Sequence, residues 1–441
     1  MKLNRLIKKG IIDTNYYLIA QIGSKFLGFL VVPFLVRLLS VEEFAHYDIF
    51  LMVASLITLI AGLGIDSGVA ILIADYKGDI GIVRYLFSFS LFVSLFVVLL
   101  FWAISHFVFP LIDQVKPILI YINYLFLYIL FNLTSYQVFN FIRWLGKAGL
   151  ASVIGFVSYA FGITLGFCFI YFKSQPSLID YLQGLVIGNL IGAIASLLIS
   201  LRYITVKWNS RYNVYIKELF EVSLPYIPNY LSNYFMMMFD RLIVISMLGS
   251  HSLGVYALAS RFAQIPNFAI NVLNRGFQPV MYLNYKNEEG QVLIRRIYNY
   301  CHYALIPILI FIYLASKSII LIFGGEKYIA AVPLVPLITM STLLYGIMGL
   351  NGLGYTIKRK TYFISIISIG AVLLNFLLNY FLGLHFGLFG IALGSLSIAC
   401  LVSFIYTYFS ERFYSFKLNL KITFGIYLFL LVFAIMSIYV K

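Results

Sequence analysis

Thirteen apolar runs, each about as long as a bilayer is thick, follow one another through this chain with only short polar joints between them. They lie at approximately 15–38, 47–73, 82–110, 117–142, 149–172, 178–201, 222–248, 253–284, 297–323, 329–355, 361–384, 386–409 and 419–440. Backbone in lipid must satisfy its polar groups internally, which leaves helices or closed barrels. Runs of this length select the helix. With 62% of residues hydrophobic and 11% charged, the chain reads as an all-α integral membrane protein of about 12–14 helices.

The longest joint runs from Arg202 to about Glu221, too short for an independently folded domain. Lys2, Arg5, Lys8 and Lys9 resemble the start of a signal peptide, but the run that follows is too long and contains Lys25. An uncleaved first span is expected.

Basic residues mark one side of the membrane. They gather at the N-terminus and in every second joint: Lys77 and Arg84; Arg143 and Lys147; Arg202, Lys207, Arg211 and Lys217; Lys286, Arg295 and Arg296; Lys358, Arg359 and Lys360; Arg412, Lys417 and Lys421. These segments hold 21 of the 31 basic residues. The opposite side keeps Arg37, Lys116, Lys173, Lys317, Lys327 and Lys441. Basic excess marks the cytoplasmic face, so the N-terminus is expected inside. The net charge of +15 is then a topology signal, and its dispersal over short segments argues against a nucleic-acid surface. Cys168, Cys301 and Cys400 lie in or beside apolar runs, with neither metal-ligand spacing nor a disulfide framework.

An internal repeat organises the runs. The segment Leu38-Leu39-Ser40-Val41-Glu42-Glu43-Phe44-Ala45-His46-Tyr47 joins the first run to the second. Met247-Leu248-Gly249-Ser250-His251-Ser252-Leu253-Gly254-Val255-Tyr256, 209 positions later, joins the seventh to the eighth. An even number of runs separates the copies, so both face the same way. The expected organisation is a six-helix lobe over 1–201, a cytoplasmic linker over 202–221, a second six-helix lobe over 222–410 and an extra C-terminal helix over 411–441. The lobes would be related by an axis along the membrane normal.

Ionisable residues inside such runs are few. The first run has Lys25, the second Asp66, the seventh Asp240 and Arg241, and the eighth Arg261 and Arg275. A cation at the bilayer centre costs at least about 2.5–3.5 kcal/mol, which favours a wet cavity or a bound anion around it. Arg261 and Arg275 return to within about 40° of one another on a helix, about 21 Å apart along its axis. Gln264, Asn271 and Gln278 fall on or near the same stripe, and Asn229 and Asn233 share a face of the seventh run with Asp240. Four cations against Asp66 and Asp240 leave the interior basic, and the guanidinium fork suits phosphate oxygens. An anionic head group is the implied cargo. Asp240 with Arg261, or Lys25 with Asp66, would equally serve as structural ion pairs, and the asparagines as interhelical hydrogen-bond partners.

The two lobe-opening segments, Gly62-Leu63-Gly64-Ile65-Asp66 and Asp240-Arg241 together resemble the polysaccharide-export transporters of the MOP (MATE-like) superfamily, and within it the O-antigen (Wzx-type) flippases. The resemblance spans nearly the whole chain on diffuse motifs. It implies a multi-pass protein of the bacterial inner membrane that moves undecaprenyl-diphosphate-linked oligosaccharide from the cytoplasmic to the periplasmic leaflet by alternating access. It also implies a cationic cavity, here Arg261, Arg275 and Lys25, and association with polysaccharide polymerase and chain-length machinery. A thirteenth span departs from the twelve- and fourteen-helix versions of that family.

No cofactor or metal is expected and no phosphate loop occurs. Coupling to an ion gradient or to the membrane potential would use Asp66 or Asp240. Two other readings remain open. A membrane polysaccharide polymerase or ligase would need a large outer loop, and every outer loop here is short. A multidrug exporter of the same superfamily would favour an acidic cavity.

Overall fold

The computed structural model describes residues 23–24, 26–65, 69, 72, 76, 79–113, 116–144, 148–205, 212–224, 227–358, 360 and 362–436. Side chains of residues 117, 143–144, 148–152, 154, 229, 233, 237, 271–280 and 282–284 lie outside that description.

Among the described residues the chain is helical, without strands. The helices are α1 (Phe26–Leu38), α2 (Val41–Gly62), α3 (Ile80–Val108), α4 (Ile122–Trp144), α5 (Ala148–Tyr171), α6 (Leu178–Ser200) and α7 (Asn213–Ser223). They continue as α8 (Ile227–Asn284), α9 (Glu288–Phe323), α10 (Leu334–Gly346), α11 (Met348–Asn351), α12 (Leu353–Ile357), α13 (Tyr362–Phe413) and α14 (Leu420–Met436). Eight stretches among the described residues are long and apolar enough to cross a membrane. The chain is a multi-pass, all-α membrane protein.

Two of these helices each carry a pair of apolar runs. In α8 the seventh and eighth runs meet at Gly249, with φ 81 and ψ 179, and in α13 the eleventh and twelfth meet at Gly387, with φ 57 and ψ −137. Positive φ is costly for any residue with a Cβ, so glycine makes both corners. The tenth run is broken instead of bent, with α10, α11 and α12 separated at Ile347 and Gly352.

The chain divides into two compact units, 1–231 and 232–441. In the first, α5 and α6 approach backbone to backbone. A Cβ on Gly184 or Gly188 would overlap the backbone of Gly166 or Gly162, and one on Gly192 would meet Ser158 Oγ at 2.6 Å. Small residues permit this approach, which supplies dispersion where no hydrophobic effect drives helices together in lipid. Ser40 caps α2 by accepting from the Glu43 amide at 3.0 Å, while Glu43 Oε2 accepts from the Ser40 amide at 3.1 Å. Glu43 Oε1 also accepts from the Leu178 amide at 3.2 Å, tying α2 to the start of α6.

The joint expected as a linker is folded onto this unit. Within α7 Leu219 is fully buried among Leu86, Phe87 and Phe141, while Val214 and Lys217 stay exposed. Tyr212 and Tyr215 pack on Tyr85 and Tyr76, at centroid distances of 5.1 and 4.9 Å. The Tyr76 hydroxyl donates to Glu218 at 3.1 Å and that of Tyr85 to Asn213 at 3.2 Å.

In the second unit, α14 is sewn to its neighbours by polar contacts. The Tyr427 hydroxyl meets His302 of α9 at 2.8 Å, and Thr423 meets the Tyr298 hydroxyl at 2.9 Å. The last run is therefore part of the packed unit and not an appendage.

Candidate functional site

The second half of α8 carries the residues singled out on charge. Its buried side, with Ala257, Leu258, Ala259, Phe262 and Ala263, packs inward. Phe262 meets Phe323 of α9 at 5.3 Å, and Thr342 of α10 donates to the Ala263 carbonyl at 3.2 Å. That packing turns Gln264 and Ile265 to the exposed side, with Arg261 half-buried one turn away. Asn267 reaches the break before α11, where a Cβ on Gly346 would meet its Oδ1 at 2.5 Å. The backbones of Asn271, Arg275 and Gln278 continue the helix, as do those of Asn229 and Asn233 in its first turns. The side chains of these five residues, like Lys25 and Asp66 altogether, lie outside the described residues.

Asp240 is held by neutral partners. Its Oδ2 accepts from the Tyr256 hydroxyl at 2.8 Å and its Oδ1 from Asn379 Nδ2 at 2.9 Å. The same Asn379 amide lies 2.8 Å from Asn375 Oδ1 and 3.0 Å from Ser395 Oγ. Asn375, Asn379 and Ser395 are fully buried, and Asp240 sits partly buried above them. Asn379 Oδ1 has no hydrogen-bond partner and lies against Gly394, where a Cβ would collide with it. Arg241 points into the buried side of the helix. The Asp240–Arg261 ion pair open on sequence grounds is not formed. Two neutral groups, the Tyr256 hydroxyl and the Asn379 amide, have taken the carboxylate, and ion pairs among the described residues include Lys116–Asp113, Lys173–Asp180 and Lys217–Glu221.

Sequence reasoning missed Tyr256, Asn375, Asn379 and Ser395. Asn375 and Asn379, four apart in an otherwise apolar run, were the available signal, since amides in lipid need partners. Among the described residues no three His, Cys, Asp or Glu side chains converge as a metal site. What the arrangement offers chemically is a carboxylate with neutral oxygens beside it, and a separate cationic and amide-bearing face on the same helix.

Solved structures share this fold. An inward-facing multidrug-resistance MATE family transporter of the MOP superfamily matches with a TM-score of 0.71 at 16% identity, over 89% of this chain and 95% of that one. The lipid II flippase MurJ, in an inward closed conformation, matches with a TM-score of 0.67 at 18% identity, over 96% and 92%. The Vibrio cholerae MATE transporter VcmN, as a point mutant, gives 0.63 at 16% identity, over 95% and 98%. No curated protein sequence matches. Residues 11–282, well over half the chain and including the whole basic face of α8, match the family described as polysaccharide biosynthesis protein. The chain has the fold seen in these MATE transporters and in MurJ, and it belongs to the polysaccharide biosynthesis protein family.

Proposed function

We propose that this protein is a flippase, without enzymatic activity, that carries undecaprenyl-diphosphate-linked oligosaccharide from the cytoplasmic to the periplasmic leaflet of a bacterial inner membrane. The observation that carries the reading is the basic and amide-bearing face of α8, with Arg261 half-buried beside exposed Gln264, in a member of a polysaccharide biosynthesis family. Guanidinium groups in a low-dielectric setting bind diphosphate oxygens strongly and in a fixed orientation. Neutral amides beside them suit sugar hydroxyls. Lys25, Arg275, Asn271, Gln278, Asn229 and Asn233 complete the proposed head-group site. Arg275 engages the head group early and Arg261 late, so no single state holds the diphosphate with every cation.

Alternating access needs a bias, and Asp240 is the proposed coupling carboxylate. Loading it with a cation from the gradient, or discharging it, would change the hydrogen bonds that tie Asp240 to Tyr256, beyond the Gly249 corner of α8, and to Asn379 of α13. The N-terminus is cytoplasmic in this reading, and the polysaccharide polymerase and chain-length machinery receive the product.

Purified protein in liposomes should move a lipid-linked oligosaccharide between leaflets. Transport of cationic drugs without the lipid-linked sugar would assign the chain to multidrug export instead. Elongation of the sugar chain would make it a polymerase.

A further inference from the structure

A second polar locus in the 232–441 unit is not used by the transport reading. His302 on α9 is only 1% exposed, and both ring nitrogens are engaged. Nδ1 lies 2.8 Å from the Tyr298 carbonyl, which only accepts, so Nδ1 carries the hydrogen. In the neutral ring Nε2 then accepts, and its donor is the Tyr427 hydroxyl of α14 at 2.8 Å. Beside that hydroxyl lies Asn351, which ends α11 at the break in the tenth run. Asn351 is 1% exposed, its amide reaches the Tyr427 hydroxyl, and its Oδ1 has no hydrogen-bond partner. A buried amide carbonyl without a partner is rare in a native fold and calls for an explanation.

We propose that His302 is a proton-binding site whose charge state passes through Tyr427 to Asn351, making the break between α10 and α12 proton-responsive. The hydrogen balance dictates the relay. A proton taken up on Nε2 faces the Tyr427 hydroxyl hydrogen, so Tyr427 must turn and accept from Nε2–H. Its own hydrogen then needs a new acceptor, and Asn351 Oδ1 is the unmet one. Nothing is oxidised and no covalent bond to carbon changes.

The elements around the ring present neutral groups at neutral pH. They are Tyr298 on the same helix, Tyr427 on α14, Cys400, Ser403 and Thr407 on α13, and Asn351 on α11. Arg295 donates to the Phe416 carbonyl at 3.0 Å, and Glu411 accepts from the amides of Phe416 and Leu418, so both are engaged at the helix ends. An imidazolium among neutral groups is costly when dry, so proton binding favours a wetter arrangement of the same segment. The segment is built to change, because Ile347, with ψ −2, and Gly352, with ψ 11, already interrupt its helical ladder.

The inference goes beyond the transport reading and is tested without cargo. Backbone amide exchange of residues 343–358 is followed by mass spectrometry in the purified full-length protein at about pH 7.5 and about pH 5.5, corrected for intrinsic rates. The expected result is at least about tenfold faster corrected exchange at the acidic value in the wild type. In His302→Gln the response should vanish, because the amide keeps both hydrogen bonds but cannot take up a proton. Tyr427→Phe retains the imidazole and cuts the relay, so it should also lose the response. A wild type without acid-dependent exchange, or either variant with the wild-type response, overturns the proposal. If His302→Gln does not fold, Tyr427→Phe decides.

Discussion

The Tyr256 hydroxyl donates to Asp240 at 2.8 Å, whereas the residues 209 positions earlier are Tyr47 and Val31. Tyr47 instead stands edge-on to Tyr181, with centroids 5.5 Å apart. The repeat therefore preserves the tyrosine at the same turn of α2 and α8 and changes what it serves. One copy contributes to an aromatic core, and the other orients a carboxylate. The same divergence separates Ser40, which caps α2 with Glu43, from Gly249, which turns the corner by its backbone alone.

Tyr256→Phe removes one of the two hydrogen bonds to the Asp240 carboxylate and leaves Asn379 in place. A hydrogen bond to a charged group contributes about 1.5–3 kcal/mol. The variant should unfold at a lower temperature in detergent and export polysaccharide at a reduced rate. Asp240→Asn should keep the protein in the membrane while export falls more than in Tyr256→Phe, because it removes the charge proposed for coupling. Export equal to wild type in Asp240→Asn would remove the coupling role.

The α5–α6 contact is more demanding. Gly184→Val and Gly188→Val place a side chain where the partner backbone already lies, and the helices must separate. Both should fail to give a monodisperse protein. Gly155→Ala on α5 meets nothing within 4 Å and serves as the control. It should be neutral or stabilising by up to about 1 kcal/mol, the usual gain of alanine over glycine in a helix. Size-exclusion profiles of the three variants separate these outcomes.

The architecture was legible in the sequence because run length in lipid leaves little choice of secondary structure. The corner at Gly249 was legible as well, since the repeat aligned it with the turn at Ser40. The pairing of Asp240 was not. Charge complementarity pointed to Arg261, but the carboxylate is reached first by Tyr256, sixteen residues along the same helix, and by Asn379 from α13. Linear spacing cannot show which helix face a distant asparagine presents. Folding of the linker onto the first unit was equally hidden, because the aromatic partners Tyr76 and Tyr85 sit far upstream of Tyr212 and Tyr215.

Gly249 has φ 81 with open space around its Cα, so only backbone strain opposes a side chain there. Gly249→Ala should destabilise by about 1–3 kcal/mol, because φ 81 with ψ 179 lies in a region that residues with a Cβ hardly enter. Ser40→Ala should cost a similar amount, about 1 kcal/mol, for a different reason, the loss of a cap. Ser40→Gly should cost only a few tenths of a kcal/mol, because glycine is an acceptable cap residue. Thermal unfolding of the three variants would show whether equivalent corners of the repeat rest on different physics.

The basic face of α8 makes the most direct claim on function. Removing one guanidinium from a diphosphate site deletes a charge-assisted contact of about 1.5–3 kcal/mol, roughly a 10- to 100-fold loss of affinity. Arg261→Ala and Arg275→Ala should therefore each reduce surface polysaccharide severely while membrane levels of the protein stay unchanged. Arg261→Lys should recover part of the activity, since it restores the charge but not the planar fork. Gln264→Ala, which keeps both cations, should weaken transport less and in a manner that depends on the sugar. Normal export in both arginine variants would place the head group elsewhere. Loss in Arg261→Ala with full rescue by Arg261→Lys would show that charge alone, and not bidentate geometry, governs binding on this helix.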